Sequence, residues 1–312
     1  MTVCVVARSS EGDSFVAARD RMFSYSTGKR YDSISLKGVP LTPDGRWYCM
    51  FAAGDVSHVL PVIRKAKKEF RYRGSSMPFR QEVVERVCVE AYQARIFEVV
   101  NDTILSCYGI DLPTYRREGL NFVATECARI NQKIEAVKLH LWLIVFGYDD
   151  FNQAHLFIVN DPGKARCCDN DGIAAIGTGA QLANISLLRD ERPLHSQAEM
   201  LCRVAEAKFE AEQEPRKTVG KDSAVGVFRR PGRMTNPMTE AFISIRLMDA
   251  IRKAHEQHHD RQYPRKLLEA VTDEINSEIT SEHISRVLYK AEELIRRDNA
   301  KRRARSTTRQ RK

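Results

Sequence analysis

Met1-Thr2-Val3-Cys4-Val5-Val6-Ala7 opens the chain, and how this stretch is read decides the fold. An apolar run that starts at Val3 is a strand with almost nothing before it. Removal of Met1 would leave Thr2 as a free N-terminal threonine, with a hydroxyl and an α-amine on one residue. The hydroxyl alone is a weak nucleophile at neutral pH, but an adjacent α-amine, whose unperturbed pKa is ~7.7–8.0, can take its proton during attack. Ordinary processed termini begin the same way, so Thr2 gains meaning only from the residues downstream of it.

Outward from that strand, Arg8 to Asp13 with Gly12 reads as a hairpin turn and Ser14 to Asp20 as the returning strand. Ser33 to Lys37 reads as a third strand. Thr42-Pro43-Asp44-Gly45 is a turn before an aromatic-rich strand from Arg46 to Ala53, which ends at Gly54. The pattern then changes: Val59, Leu60, Val62, Ile63 and Ala66 follow helical spacing, and further helices are predicted over 79–105 and 122–136. Strands over 139–146 and 155–159 come next, joined by Gly147-Tyr148-Asp149-Asp150, and Asp161-Pro162-Gly163 closes the second. A strand at 173–176 leads through Gly177-Thr178-Gly179 into a helix to Leu188. A helix over 196–212 and a strand over 224–228 complete this part. Helices that are not interleaved strand by strand argue against a doubly wound parallel sheet. The order fits an α+β protein in which two antiparallel sheets pack face to face with helices outside, a four-layer α-β-β-α sandwich.

With 312 residues the chain has room for one large domain, or a domain with an appendage. Its longest apolar run, Leu139 to Phe146, is far short of the ~20 residues of a membrane span, and no charged region followed by an apolar one opens the chain. A cytoplasmic protein that uses no membrane is expected. The eight cysteines form no CxxC pair, and the vicinal Cys167-Cys168 precedes a turn, so neither a zinc knuckle nor a disulfide framework is indicated. Of the net charge of +9, seven units come from Lys301, Arg302, Arg303, Arg305, Arg309, Arg311 and Lys312, leaving +2 for the rest. The basic character belongs to the tail.

Several motifs recur in a familiar order: the N-terminal threonine strand, Val16-Ala17-Ala18-Arg19-Asp20, Phe51-Ala52-Ala53-Gly54-Asp55, Val145-Phe146-Gly147-Tyr148-Asp149 and Ala174-Ala175-Ile176-Gly177-Thr178-Gly179-Ala180. From Thr2 to Phe228 the chain resembles the proteasome-type N-terminal nucleophile (Ntn) hydrolases, which include proteasome β subunits and HslV-type proteases. The resemblance implies that Thr2 is the nucleophile and its own amine the base. It places Asp20 as the acid after the first hairpin, here longer by about two residues, which a surface turn tolerates. Lys37 would be the lysine whose cation favours proton loss from the Thr2 hydroxyl, with Asp20 compensating it. Asp32 competes for that role in an ungapped alignment, but the distances from Asp20 and to Gly54 favour Lys37.

Gly54 falls where the family presents a backbone N–H to the developing oxyanion, although a plain turn after a strand reads the same. Thr178 takes the place of a serine whose hydroxyl lies near the amine. The chain departs from the family downstream, where Pro215-Arg216-Lys217-Thr218-Val219-Gly220-Lys221-Asp222 lacks the expected aspartate and serine before the glycine turn. No propeptide is expected before Thr2, so its exposure would depend on a methionine aminopeptidase.

The expected division is a hydrolase domain over 1–232, a helical appendage over 233–300 and a disordered basic tail over 301–312. Thr235-Asn236-Pro237 opens a helix to about His259, and Pro264 restarts one. Leu267 to Ile275 and Ile279 to Leu288 read as a helical pair, with Thr280 or Ser281 as N-cap. Such a pair is either a helix-turn-helix or a docking or oligomerisation appendage. The tail either contacts phosphate backbones or keeps the protein soluble. His255-Glu256-Gln257-His258-His259 satisfies the HExxH zinc pattern, but charged neighbours suggest an exposed helix and a chance match.

The function expected is a threonine-type peptidase that needs no cofactor or metal. Its partners would be a peptide or protein substrate and, by resemblance, further copies in a ring, with an ATP-dependent unfoldase as a further candidate. The alternative is a non-catalytic scaffold of the same fold that holds nucleic acid through its C-terminal helices and tail.

Overall fold

The computed structural model describes residues 3–9, 14–20, 22–24, 30–32, 38–53, 56–74, 79–189, 196–215, 219–220, 223–232, 238–257 and 263–276. They form a mixed α/β protein with two five-stranded antiparallel sheets, a small two-stranded one and eight α-helices. In the first half lie β1 (Val3–Arg8), β2 (Ser14–Asp20), β3 (Met22–Ser24), β4 (Arg30–Asp32), β5 (Gly38–Pro40) and β6 (Trp47–Ala53). Helices α1 (Val59–Tyr72), α2 (Gln81–Val100), α3 (Leu112–Glu118) and α4 (Ala124–Ala136) come after them. Then come β7 (Leu141–Tyr148), β8 (Ala154–Asn160), β9 (Lys164–Cys167) and β10 (Ile173–Gly177), with α5 (Ala180–Leu188) and α6 (Gln197–Glu212) beyond. The described chain closes with β11 (Ser223–Arg229), β12 (Thr239–Phe242), α7 (Ile245–Gln257) and α8 (Arg265–Asn276). The first sheet has the order β10-β1-β2-β11-β12 and the second β5-β6-β7-β8-β9.

β1, β6 and β7 read as nearly continuous apolar runs because both of their faces are covered. Val3, Val5 and Ala7 of β1 join a cluster with α6, α7 and α8, whereas Cys4 and Val6 join one that contains Tyr48, Met50, Ile144 and Phe146 of the second sheet. The second sheet divides in the same way. Trp47, Cys49 and Phe51 pack with Val62, Ala66, Val87 and Tyr92 of α1 and α2, while Tyr48, Met50 and Ala52 meet the first sheet. Between the sheets the rings of Phe146 and Phe228 lie 5.1 Å apart and those of Tyr48 and Phe228 4.8 Å apart. Register is fixed by this alternation, since a slip of one residue would exchange the two faces of every strand.

Several elements differ from expectation. The third strand expected over 33–37 lies outside the described residues; β3 and β4 precede it and β5 comes after it. The long second helix stops being α-helical at Val100 and continues as one π-helical stretch, Asn101–Leu105, before α3. Val100, Ile104, Leu105, Leu112, Tyr115 and Ile130 then form a small core of their own. The helix expected to open at 235 begins at Ile245 instead, because Thr239–Phe242 pairs with β11. Residues beyond 232 therefore extend the first sheet and share its core through Leu247, Ile251, Val271 and Ile275, so the boundary expected at 232 falls between two paired strands. The second helix of the expected pair and the basic tail lie outside the described residues. Among the described residues no helix is long and apolar enough to cross a membrane.

Candidate functional site

Strand β1 starts in the middle of the first sheet, with Val3 paired to Gly177 of β10 and Cys4 to Arg19 of β2. Asp20, the last residue of β2, is fully buried. Its Oδ1 accepts the Val3 N–H at 3.3 Å, and its Oδ2 accepts the Gly220 N–H at 3.0 Å. A buried carboxylate needs such donors, because leaving it without them costs the full desolvation penalty. Here they tie the start of β1 to the stretch just before β11.

Thr178 lies half-buried in the turn between β10 and α5. Gly177 takes φ +96° there, a left-handed conformation that a side chain would strain. At Gly179 an added Cβ would stand 2.7 Å from the Ala211 Cβ and 3.0 Å from a Val219 methyl, so only glycine lets this turn seat against the end of α6. Asp20, Thr178 and Val219-Gly220 thus gather at the end of the first sheet where the chain begins. Thr2, Lys37 and Gly54, expected at the same place, lie outside the described residues. Described residues near Lys37 and Gly54 in sequence touch β1 and β2. A Cβ added at Gly38 would stand 2.8 Å from Arg19 Nη1, and the Cys4 thiol donates to the Phe51 carbonyl at 3.5 Å.

One group here was not anticipated. Lys208 of α6 is fully buried; its Nζ donates to a Glu212 carboxylate oxygen, and to the Gly220 carbonyl at 2.6 Å. Burial pushes the Lys208 pKa below its ordinary value, against the opposing pull of Glu212 and Asp20. Glu212 also takes a two-pronged contact from Arg252 of α7, at 2.7 and 2.9 Å. The sequence signal was a Lys and a Glu four residues apart on a helix, which ordinarily marks an exposed pair.

A second polar cluster lies at the opposite end of β1, about 17 Å away along its six residues. His155 presents Nδ1 to Asp169 at 2.8 Å and Nε2 to Asp149 at 3.2 Å, and its ring stacks on Trp47 with centroids 6.1 Å apart. Burial works against protonation and is the largest single influence, but the two carboxylates outweigh it, so the His155 pKa is raised. Arg8, His155, Asp169 and Arg230 border an open cleft of about 420 Å³ beside it.

The HExxH stretch behaves differently from expectation. Helix α7 is not exposed all round, because Leu247, Met248, Ile251 and Ala254 are buried. Its His255 lies between Glu206 and Glu210 of α6, at 3.4 and 3.6 Å, and Glu206 chiefly raises its pKa. His259, the second histidine of the pattern, lies outside the described residues. Among the described residues no group of three or more His, Cys, Asp or Glu side chains is placed to hold a metal ion.

No protein-family model and no curated protein matches the chain. Among solved structures it is similar to the Anbu (Gly-1) mutant from Hyphomicrobium sp. strain MC1, with a TM-score of 0.52 at 15% sequence identity, over 85% of this chain and 100% of that one. At that identity the likeness speaks for the fold. It also corrects the resemblance drawn from the motifs, which pointed to proteasome β subunits and HslV-type proteases, whereas this likeness is to Anbu. The motifs behind that resemblance are strand ends and glycine turns, which record how two sheets are closed and not which relatives share the chemistry.

Proposed function

We propose that the protein is a threonine-type Ntn hydrolase acting on peptides, with Thr2 as nucleophile once Met1 is removed. The observation that carries this reading is the buried Asp20 carboxylate, which accepts the N–H of Val3, the residue next to Thr2. The Anbu-like fold and the three hydrophobic clusters support the four-layer α-β-β-α order that goes with it.

In this mechanism the Thr2 Oγ attacks the substrate carbonyl carbon while its proton passes to the α-amine. The N–H of Gly54 receives the developing oxyanion. Collapse breaks the C–N bond, and the leaving amine takes the proton from the Thr2 ammonium. Water, activated by the same amine, then hydrolyses the acyl ester, releases the acid and restores the hydroxyl. Lys37 favours proton loss from Oγ, Asp20 anchors the strand that carries Thr2, and Thr178 offers a hydroxyl at the amine side. The partners in this proposal are a peptide substrate and further copies of the chain.

The test is intact mass and N-terminal sequencing, then a second mass after incubation with a peptide epoxyketone. Loss of Met1 and a single adduct that disappears in Thr2→Ala is the expected result. Retained Met1, which blocks the amine, would refute the mechanism.

A further inference from the structure

Lys208 is a buried cation that takes no part in the acyl-transfer steps. A purely structural role would be met as well by a packed apolar side chain, because burying an ammonium costs more than its ion pair usually returns. What Lys208 does contact is specific. Its Nζ donates to the carbonyl of Gly220, the residue whose N–H donates to Asp20, and Asp20 in turn receives the N–H of Val3.

On the far side, Lys208 pairs with Glu212, and Glu212 is gripped by Arg252, whose guanidinium lies 4.0 Å over the Phe209 ring. A continuous polar line therefore runs from α7 through α6 and Gly220 to the start of β1. Its Gly220 lies in the stretch from Pro215 to Asp222 where the aspartate and serine expected downstream are missing.

We propose that Lys208 is a positioning residue for the Thr2 site, set by Arg252 through Glu212, so that helix α7 tunes the reactivity of the N-terminus. This rests on the assignment of Thr2 as nucleophile. Gly220 has no side chain with which to hold itself, so its two backbone contacts set how it meets the Asp20 carboxylate, which also receives the Val3 N–H. Removing Arg252 loosens Glu212 and Lys208, and the displacement passes through Gly220 and Asp20 to the start of β1.

The experiment uses the full chain and the epoxyketone adduct, with inactivation rate constant and inhibitor affinity measured separately. Lys208→Met is expected to slow inactivation by about tenfold or more, and Arg252→Ala by about threefold, since small misplacements of reacting groups are costly. Inhibitor affinity should stay unchanged and Arg252→Lys should recover most of the rate. Backbone amide exchange at Val3 and Gly220 should quicken in Arg252→Ala. If Lys208→Met fails to fold, Arg252→Ala, whose side chain is partly exposed, carries the same comparison. A wild type that reacts alongside folded variants that react equally overturns the role of Lys208. A wild type that forms no adduct overturns the Thr2 assignment instead, and unchanged amide exchange overturns the coupling whatever the activity.

Discussion

Replacing Asp20 with asparagine tests the anchor of β1 with almost no change in volume. Asn keeps one carbonyl oxygen, so it can still accept from Val3 or from Gly220, but it turns an amide toward the other N–H. One charge-assisted hydrogen bond is lost, the other becomes neutral, and a buried donor is left facing a donor. Hydrogen bonds to charged groups contribute about 1.5–3 kcal/mol, against about 1 for neutral ones, so the total loss is about 2–5 kcal/mol. Lys208 also loses one of the negative charges that act on it. For a chain of this size the loss lowers Tm by about 3–8 °C. Urea unfolding should give an earlier midpoint with an unchanged slope, since the surface exposed on unfolding is the same. The same preparation should form the Thr2 adduct far more slowly. A variant that unfolds at the wild-type urea concentration would refute the claim that this carboxylate holds the two amides.

Two other perturbations probe the far end of the sheets and the second sheet. His155 has a raised pKa, so its contribution to stability is fully present below its unfolded value of about 6.5 and is lost as pH rises through the higher folded value. The Tm difference between wild type and His155→Gln, measured by calorimetry from acid to alkaline pH, should therefore be largest in mild acid and shrink above neutrality; a constant difference would refute it. Gly147→Ala should destabilise by about 3 kcal/mol or more by urea titration, because overpacking against a backbone that cannot yield is costly. The new Cβ would meet the Arg46 carbonyl oxygen at 2.3 Å and the Trp47 Cα at 2.8 Å; wild-type stability would refute this close approach.

Much of the fold is legible in the sequence where local signals agree. β2 has the expected bounds, and Ser196 with Glu199 forms the reciprocal cap that starts α6. Elements without a periodic apolar face were invisible. β9 is a short edge strand with mostly exposed residues, and α3 sits between Gly109 and Gly119 with Pro113 at its start, where turn residues outweigh its seven-residue length. β12 was hidden by Thr235-Asn236-Pro237, a helix-start signal that comes too early for a helix that begins after a strand. Of the candidate site, Asp20 and Thr178 were named only through the resemblance, which placed them by the order of motifs. Lys208 could not, because helical periodicity assumes one buried face. Helix α6 is buried almost all round, between the first sheet and α7 with α8, and in such a helix a lysine gives no sign that it points inward.

The order of the first sheet has a consequence for the chain as it is made. Only β1 and β2 are neighbours in both sequence and space at the N-terminal end; β10, β11 and β12 are supplied from residue 173 onward. The bond from Gly220 to Asp20 spans 200 residues, which at ribosomal speeds of about 5–20 residues per second is a wait of about 10–40 s. Through that interval the N-terminal strand sits at the rim of an unfinished sheet, without the amide that will fix its carboxylate. The carboxylate at the start of β1 therefore gains its second donor only after most of the chain has emerged.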